Sequence, residues 1–173
     1  MALPDYRKAE QGTLLQWIGS GGDSAITLAS LANGSARMGV YDDLGATWDQ
    51  DMAARLVCEF ASAPTAGESV EAYLAFSHNN SVWPAGVSGS DAAWPADGNE
   101  DEWKKQLGPP VCWLITTNDS NGTVQIGPWH RFRPNARYTA PVVDNNSGVA
   151  LHTTVANLRF EILPLRDLIQ DAA

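Results

Sequence analysis

The stretch that decides the fold is ARLVCEF, residues 54–60, in which apolar and charged side chains alternate. Leu56, Cys58 and Phe60 fall on one face of an extended chain, and Arg55 and Glu59 fall on the other. Because successive side chains of a strand point to opposite faces of its sheet, this alternation predicts a half-buried β-strand.

Two further segments show the same period of two: SVEAYLAF at residues 69–76 and NLRFEIL at residues 157–163. In the first of them, Glu71 and Tyr73 take the face opposite the apolar side chains. Three segments of this kind favour antiparallel sheets with one face packed on a core and the other face solvated.

Shorter strand candidates surround these segments, separated by turn sequences such as ANGS, NDSNG and DNNSG, in which Gly and Asn supply positive φ angles. The candidates are residues 13–18, 24–28, 37–41, 111–117, 123–126, 129–133, 138–143 and 149–154. About eight to ten short strands predict an all-β antiparallel sandwich, with the jelly roll as the expected topology. We expect one domain over residues 1–173, with a long irregular insertion at about residues 77–110 that is functional or mobile.

The length and charge of the chain limit its function. A chain of 173 residues can bury about 70% of its unfolded surface without a cofactor. The formal net charge is −9, with only 11 Lys and Arg, which disfavours a nucleic-acid binder because neutralising phosphates requires clustered cations. The first residues, MALPDYRKAEQG, lack the apolar run of a signal peptide, so we expect synthesis in a cytosol and no membrane span.

Catalytic chemistry finds little support. Ser88, in GVSGSD, misses the GxSxG motif by one position, and the carboxylates of the strands alternate out of the expected core instead of facing one another across a cleft. Three histidines are interpreted as hydrogen-bonded residues of the sheets or their rims: His78, His130 and His152. Cys58 and Cys112 lie far apart in apolar segments, which indicates buried free thiols, with a disulfide and a reactive thiol as the alternatives. We expect no cofactor and no enzyme activity, and a hydrolase ranks third among the possible functions.

An acidic segment, WPADGNEDEWKKQLGPP, places four carboxylates between two tryptophans. Asp97, Asn99 and Asp101 alternate as at the start of a helix-loop-helix calcium site, but Glu102 and Gly108 stand where that motif needs Gly and Glu. The motif is therefore excluded, and an irregular calcium site stays open as an alternative.

The favoured interpretation of the acidic segment is a short helix over EDEWKKQL, capped by Asp97 or Asn99. Lys104 and Lys105 follow the acidic residues of its first turn at the spacing of helical ion pairs. A second single helical turn is expected at residues 49–55.

Seven tryptophans stand out in a chain of this length. Trp17, Trp113 and Trp129 lie in strand candidates, where packing in or between the sheets is expected, although Trp113 takes the face opposite its neighbours and so covers a second layer or is exposed. The other four lie outside clear strands: Trp48, Trp83, Trp94 and Trp103. Exposed indoles are enriched at protein interfaces and stack on sugar rings, so we predict that the last three belong to a partner-binding or glycan-binding surface.

Three blocks of the sequence resemble those of small structural proteins of tailed bacteriophages that are often called decoration, cement or minor virion proteins. The blocks are SLANGSARMGVYDDLGATW (30–48), WPADGNEDEWKKQL (94–107) and RFRPNARYTAPVVDNNSGVALH (131–152). The similarity covers about residues 5–165. The resemblance implies a non-enzymatic jelly-roll protein of the virion, with the major capsid protein or another virion protein as its partner and a homo-oligomer such as a trimer as its state. It assigns no role to an individual residue.

The segment HRFRPNAR concentrates Arg131, Arg133 and Arg137 in an otherwise acidic chain. The simplest interpretation is the solvated face of a strand followed by a turn. The alternative is a contact for acidic groups of a neighbouring subunit, since an acidic, soluble protein can dock through a few arginine and aromatic anchors.

Two functions of different classes follow. The leading hypothesis is a virion structural protein that binds and stabilises the particle. The alternative is a carbohydrate-binding jelly roll on the virion or cell surface, which would stack sugars on an indole and accept their hydroxyls with carboxylate or amide groups. Its candidate residues are Trp83, Trp94 or Trp103 for stacking and Asp97, Asn99 or Asp101 for hydrogen bonding.

Overall fold

A computed structural model describes residues 6–19, 24–45, 51–95, 100–119 and 123–170. Within these ranges the chain forms thirteen β-strands, one α-helix and a 3-10 helix at Val155–Asn157. The α-helix, α1, spans Glu100–Leu107. The strands are β1 (Tyr6–Gln11), β2 (Leu15–Ile18), β3 (Ser24–Ala25), β4 (Ser35–Met38), β5 (Asp42–Asp43), β6 (Met52–Glu59), β7 (Ser69–Ser77), β8 (Ala92–Trp94), β9 (Cys112–Ile115), β10 (Val124–Ile126), β11 (His130–Phe132), β12 (Tyr138–Asn146) and β13 (Arg159–Gln170).

The strands form two sheets that pack face to face, which confirms the predicted all-β sandwich. Sheet I has seven strands in the order β10-β6-β13-β2-β3, with β1 paired to β13 and β11 paired to β6. Sheet II has six strands in the order β8-β4-β12-β7-β9, with β5 paired to β12. All described pairs are antiparallel except β2 with β3. The jelly-roll connectivity stays a prediction.

The core between the sheets is built by the alternating residues of the strands that the sequence predicted. β13 pairs with β6 in a register that places Phe160 opposite Leu56, and both side chains are fully buried. The ring of Trp17 on β2 lies 5.5 Å from that of Phe160. Its indole N–H donates to the carbonyl of Val40 at 2.8 Å, which gives the buried polar atom a partner.

The central strands of sheet II, β12 and β7, are covered on both faces, contrary to the expectation of a solvated outer face. Tyr73 on β7, predicted to face solvent, is buried, because residues 83–94 and helix α1 pack across this side of the sheet. They bring Ala85, Val87 and Trp94 onto it. A sheet buried on both faces needs nearly continuous apolar strands, and Tyr138–Asn146 is buried at all but its two end positions. We call this packing the outer cluster; its buried members are Ala36, Met38, Tyr73, Ala75, Ala85, Val87, Trp94, Ala140 and Val142.

Several local predictions differ from the structure. The helical turn expected at 49–55 is wrong for residues 52–55, which lie in β6; residues 49–50 are outside the described part. The surroundings override local preference here, since Met52, Ala53 and Ala54 are buried between β11 and β13. The strand expected at 149–154 is reduced to one bridge between Leu151 and Phe60.

Both cysteines are free and buried, as predicted. Burial raises the pKa of the Cys58 thiol to about 12 and also raises the pKa of Cys112. Among the described residues, no helix is long and apolar enough to cross a membrane, and no group of three or more His, Cys, Asp and Glu side chains is placed to hold a metal ion.

Candidate functional site

The three tryptophans predicted to form a surface lie in or against the outer cluster. Trp94 is only 3% exposed, and its indole N–H donates to the carbonyl of Ala85 at 2.8 Å. The expectation of an exposed indole is therefore corrected for Trp94, because β8 pairs with β4 and turns this side chain inward. Trp83 and Trp103 are partly buried and pack against the same cluster. All three attach their own segments, residues 83–94 and helix α1, to sheet II.

The three arginines of HRFRPNAR are distributed over both sheets. Arg131 lies on β11 at the margin of sheet I and is exposed, as is Arg133. Arg137 precedes β12 of sheet II and donates from Nε and Nη2 to both carboxylate oxygens of Asp43, at 2.7 and 2.6 Å. This pair holds the pKa of Asp43 below its usual value, mainly through the hydrogen bond. Arg137 thus ties β5 to the start of β12.

The acidic segment forms the predicted helix, α1, whose ion pairs are confirmed. Lys104 Nζ lies 2.5 Å from Oε1 of Glu100, and Lys105 Nζ lies 2.7 Å from Oε1 of Glu102. Asp101 is exposed on this helix. The proposed caps at positions 97 and 99, and the tryptophan at position 48, lie outside the described residues.

Lys104 also anchors α1 to sheet II. Its Nζ lies 2.5 Å from Oδ2 of Asp144, which is fully buried on β12 and accepts a second hydrogen bond from Asn146. Burial raises the pKa of Asp144 even though the ammonium of Lys104 opposes the shift. The other oxygen, Oδ1, has no hydrogen-bond partner among the described residues. The contact fixes the helix over the outer cluster.

Exposed apolar side chains concentrate at one edge of the sandwich. Five of the seven exposed large apolar residues in the described chain come from one stretch of sequence: Trp113, Ile115, Val124, Ile126 and Trp129. The first four line a groove of about 440 Å³ between β9 and residues 124–128. Asp119 is the one charged residue among those described as lining it. We call it the edge groove, because β9 and β10 are the edge strands of sheets II and I.

The backbone of β9 presents free groups to this groove. The N–H of Thr116 donates to the carbonyl of Glu68 at 2.9 Å and its C=O accepts from the N–H of Gly67 at 3.0 Å, so the backbone groups of Thr116 are directed at the chain that leads into β7. Hydrogen-bonded and non-hydrogen-bonded pairs alternate along antiparallel strands. The N–H and C=O groups of Ile115 and Trp113, opposite Ser69 and Glu71, therefore point away from β7.

The backbone groups of β10 alternate in direction in the same way. The N–H of Gly127 donates to the carbonyl of Leu56 at 2.9 Å, in register with the β6–β10 pairs. Gln125 lies two residues before Gly127, so its backbone groups are also directed at β6. The backbone groups of Val124 and Ile126 alternate with these and therefore point away from β6. On both edges, the residues with free backbone groups are those with exposed apolar side chains.

Two aromatic contacts form one end of this surface. The ring of His130 lies 3.9 Å from that of Trp113, and its Nε2 is buried without a partner among the described residues. The guanidinium of Arg55 lies 4.3 Å from the ring centre of Trp129, a cation–π distance. Core packing was the expectation for Trp129; the structure instead places it at the surface, 39% exposed.

No protein-family model matches the chain, and no curated protein matches it significantly.

The edge groove was not predicted from the sequence, although part of the signal is present there. Trp113 and Ile115 alternate with the inward-facing Cys112 and Leu114, so β9 is apolar on both faces, whereas Val124 and Ile126 of β10 flank the polar Gln125. Apolar side chains on both faces of a strand indicate either a second packed layer or an exposed patch. Only the topology decides between the two, by placing β9 and β10 at the edges.

Proposed function

We propose that the chain is a non-enzymatic structural protein of a bacteriophage virion, which binds the particle and stabilises it in the manner of a capsid decoration or cement protein. The observation that carries the proposal is the edge groove, where four exposed apolar side chains line one concave surface. Contiguous exposed apolar surface in a soluble protein marks a site of protein association. A protein that binds only the assembled particle stabilises it by mass action.

The use of the charged side chains supports a structural role. Glu161 is only 1% exposed and lies between Arg55 and Arg159, at 2.5 and 2.7 Å. Asp91 accepts from Nε of Arg37 at 2.6 Å. These carboxylates cross-link strands or loops, since each joins side chains that are distant in sequence.

The proposed setting follows from the sequence resemblance and the net charge. The protein would be made in the bacterial host cytoplasm, join the virion there as a jelly-roll subunit, and contact the major capsid protein or another virion protein. The charge of −9 would keep the free subunit soluble and limit self-association before assembly. Closed symmetry, for example a trimer, is the expected oligomeric state.

Co-sedimentation with particles tests this function. Particles from a phage in which this gene is disrupted are mixed with increasing amounts of the protein and pelleted. We expect bound protein to saturate at a fixed ratio to the coat subunit, and Ile115→Lys to weaken binding at least tenfold. Val82→Lys is the matched control, because Val82 is 71% exposed and lies outside the groove. Failure of the wild-type protein to pellet with the particles would refute the proposal.

A carbohydrate-binding function is the second candidate, favoured by the 39% exposure of Trp113 beside the hydrogen-bonding groups of Thr117 and Asp119. An indole face next to hydroxyl and carboxylate groups suits a sugar ring. This places the stacking residue at Trp113, in place of Trp94, which is buried. A glycan array tests it: a bound glycan should be lost in Trp113→Ala and kept in Trp103→Ala.

A further inference from the structure

We infer that the edge groove binds an extended segment of a partner protein, which adds to the free edge of β10 as a further strand of sheet I. The inference deepens the proposed function and rests on it for the source of the strand, a neighbouring protein of the particle. Strand addition of this kind takes its affinity from main-chain hydrogen bonds and its specificity from alternate side chains.

The backbone geometry selects β10 over β9. The side chain of Gln125 bonds to both the N–H and the C=O of Thr117, at 3.0 and 2.9 Å, which covers the edge of β9 at its end. At the other end Gly127 lies against β9, since a Cβ atom on it would be 3.1 Å from the carbonyl oxygen of Trp113. The outward backbone groups of Val124 and Ile126 have no hydrogen-bond partner among the described residues.

The side chains around this edge suit an apolar strand. Ile126 is 59% exposed, and Trp113 and Ile115 form the opposite wall of the groove. Edge strands of soluble proteins usually carry a charge or a proline that discourages pairing. The sequences of β9 and β10, CWLI and VQI, contain neither, so this edge lacks that protection and needs a partner to cover it.

The charge of the groove and of the chain indicates which kind of segment binds in the edge groove. Asp119 is the single charged residue that lines the groove in the described chain, and the whole chain carries a net charge of −9. An incoming segment with alternating apolar residues and a flanking Lys or Arg would be attracted to both. A second copy of the chain would bring the same excess of acidic residues, and so would not supply the cation that Asp119 attracts. We therefore assign the groove to a neutral or basic segment of a different protein, of which about three residues would pair with β10.

A peptide array provides the probe. Its members are seven-residue peptides with Lys at both ends and Thr alternating with Val, Ile, Leu or Phe, and the strongest binder is measured by calorimetry. We expect saturable 1:1 binding, weakened at least tenfold by Ile126→Lys and unchanged by Val82→Lys. Replacing the terminal Lys residues by Glu should also weaken it. A peptide with alternate N-methylated backbone amides should not bind, because it keeps the side chains and loses the donors.

Each outcome decides the inference. No binding by any member, equal binding of the N-methylated peptide, or equal losses in Ile126→Lys and Val82→Lys would overturn it. Sedimentation equilibrium tests for self-association. If the wild-type protein self-associates and Ile126→Lys abolishes this, the occupant of the groove is a second copy of the chain instead. If the particles saturate with the protein while the peptides fail, the inference falls and the proposed function stands; if the peptides bind and the particles do not, the proposed function falls.

Discussion

Nε of Arg55 lies 2.5 Å from Oε2 of Glu161, so a pair of charges joins the two central strands of sheet I. The carboxylate also accepts from Arg159 at 2.7 Å and from Gln16 at 2.8 Å. Burial opposes ionisation of Glu161, but these hydrogen bonds outweigh it and hold the pKa of the carboxyl below its usual value. Since the same Arg55 lies over Trp129, the pair also positions one aromatic residue beside the edge groove.

Glu161→Gln is expected to lower the free energy of unfolding by about 2–3 kcal/mol at pH 7, because it weakens charge-assisted hydrogen bonds in a buried site. The folded-state pKa of Glu161 is lowered, so its stabilisation is present above the unfolded value of about 4.5 and is lost as the pH falls through the folded value. Urea denaturation between pH 3 and 7 should show the difference shrinking in acid. The control is Glu102→Gln on the exposed face of α1; a difference from wild type that does not change with pH would contradict the assignment.

Two glycines with nearly the same φ angle allow the cost of backbone strain to be distinguished from the cost of a steric contact. Gly148 and Gly67 have φ angles of +86° and +87°, a region that costs an L-residue about 1 kcal/mol. A Cβ atom on Gly67 would meet nothing within 4 Å, whereas one on Gly148 would lie 3.2 Å from Cβ of Thr65 and closer still to its hydroxyl.

Gly67→Ala should therefore cost about 1 kcal/mol of stability, and Gly148→Ala should cost at least about 1 kcal/mol more because of the contact with Thr65. Thermal unfolding of both variants measures the difference. Adding Thr65→Ala to Gly148→Ala should remove most of the excess. Equal effects of the two glycine substitutions would show that the contact is relieved without cost.

The main strands of the sandwich could be predicted because the alternation that specifies each of them lies within a few consecutive residues. In residues 54–60 and 157–163 the period of two by itself specifies which side chains enter the core. Helix α1 could be predicted for the same reason, since its acidic first turn and the spacing of Lys104 and Lys105 lie within eight residues. Short strands such as β5 and β8 were missed, because their sequences, DD and AAW, show no alternation of apolar and polar side chains.

The candidate site was not predictable in the same way. Trp94 and Trp113 are both indoles beside apolar residues, yet one is buried and the other exposed. The difference arises from contacts distant in sequence, since residues 83–94 and helix α1 pack over sheet II and the strand order leaves β9 at an edge. The free backbone groups of Ile126 likewise depend on the register with β6.

The two thiols provide a test of core integrity. Cys58 and Cys112 are fully buried, and burial raises the pKa of Cys58 to about 12, so almost no thiolate is present at pH 8. We expect a disulfide reagent such as DTNB to modify both thiols only at the rate of unfolding, with no fast phase. In denaturant both should react at once. Ser90→Cys, at an exposed position, serves as the reactive control, and a fast phase from the native wild-type protein would contradict the buried placement.

Lys104 and Lys105 are adjacent on α1 but differ in their surroundings. Lys105 is 69% exposed and pairs only with Glu102 in the described structure, an arrangement that contributes little to stability. Lys104 is partly buried, with 24% of its side chain exposed, and lies between Glu100 and Asp144. Burial works against its charged form, but the two carboxylates raise its pKa. Its removal would leave the fully buried Asp144 without a cation.

Lys104→Met should reduce the free energy of unfolding by about 2–4 kcal/mol at pH 7, and Lys105→Met should change it by less than about 0.5 kcal/mol. The pKa of Asp144 is raised in the folded state by burial, and loss of Lys104 raises it further. A raised carboxyl pKa means that the folded state binds the proton more tightly, so stability falls as the pH rises from the unfolded value of about 3.8 through the folded value. The deficit of Lys104→Met should therefore shrink as the pH is lowered toward 4, and Asp144→Asn in the same chain should recover part of it at pH 7.

Urea denaturation across this pH range measures both effects. A deficit that is independent of pH, or no recovery in the double variant, would mean that Lys104 acts through its aliphatic packing and not through the buried carboxylate.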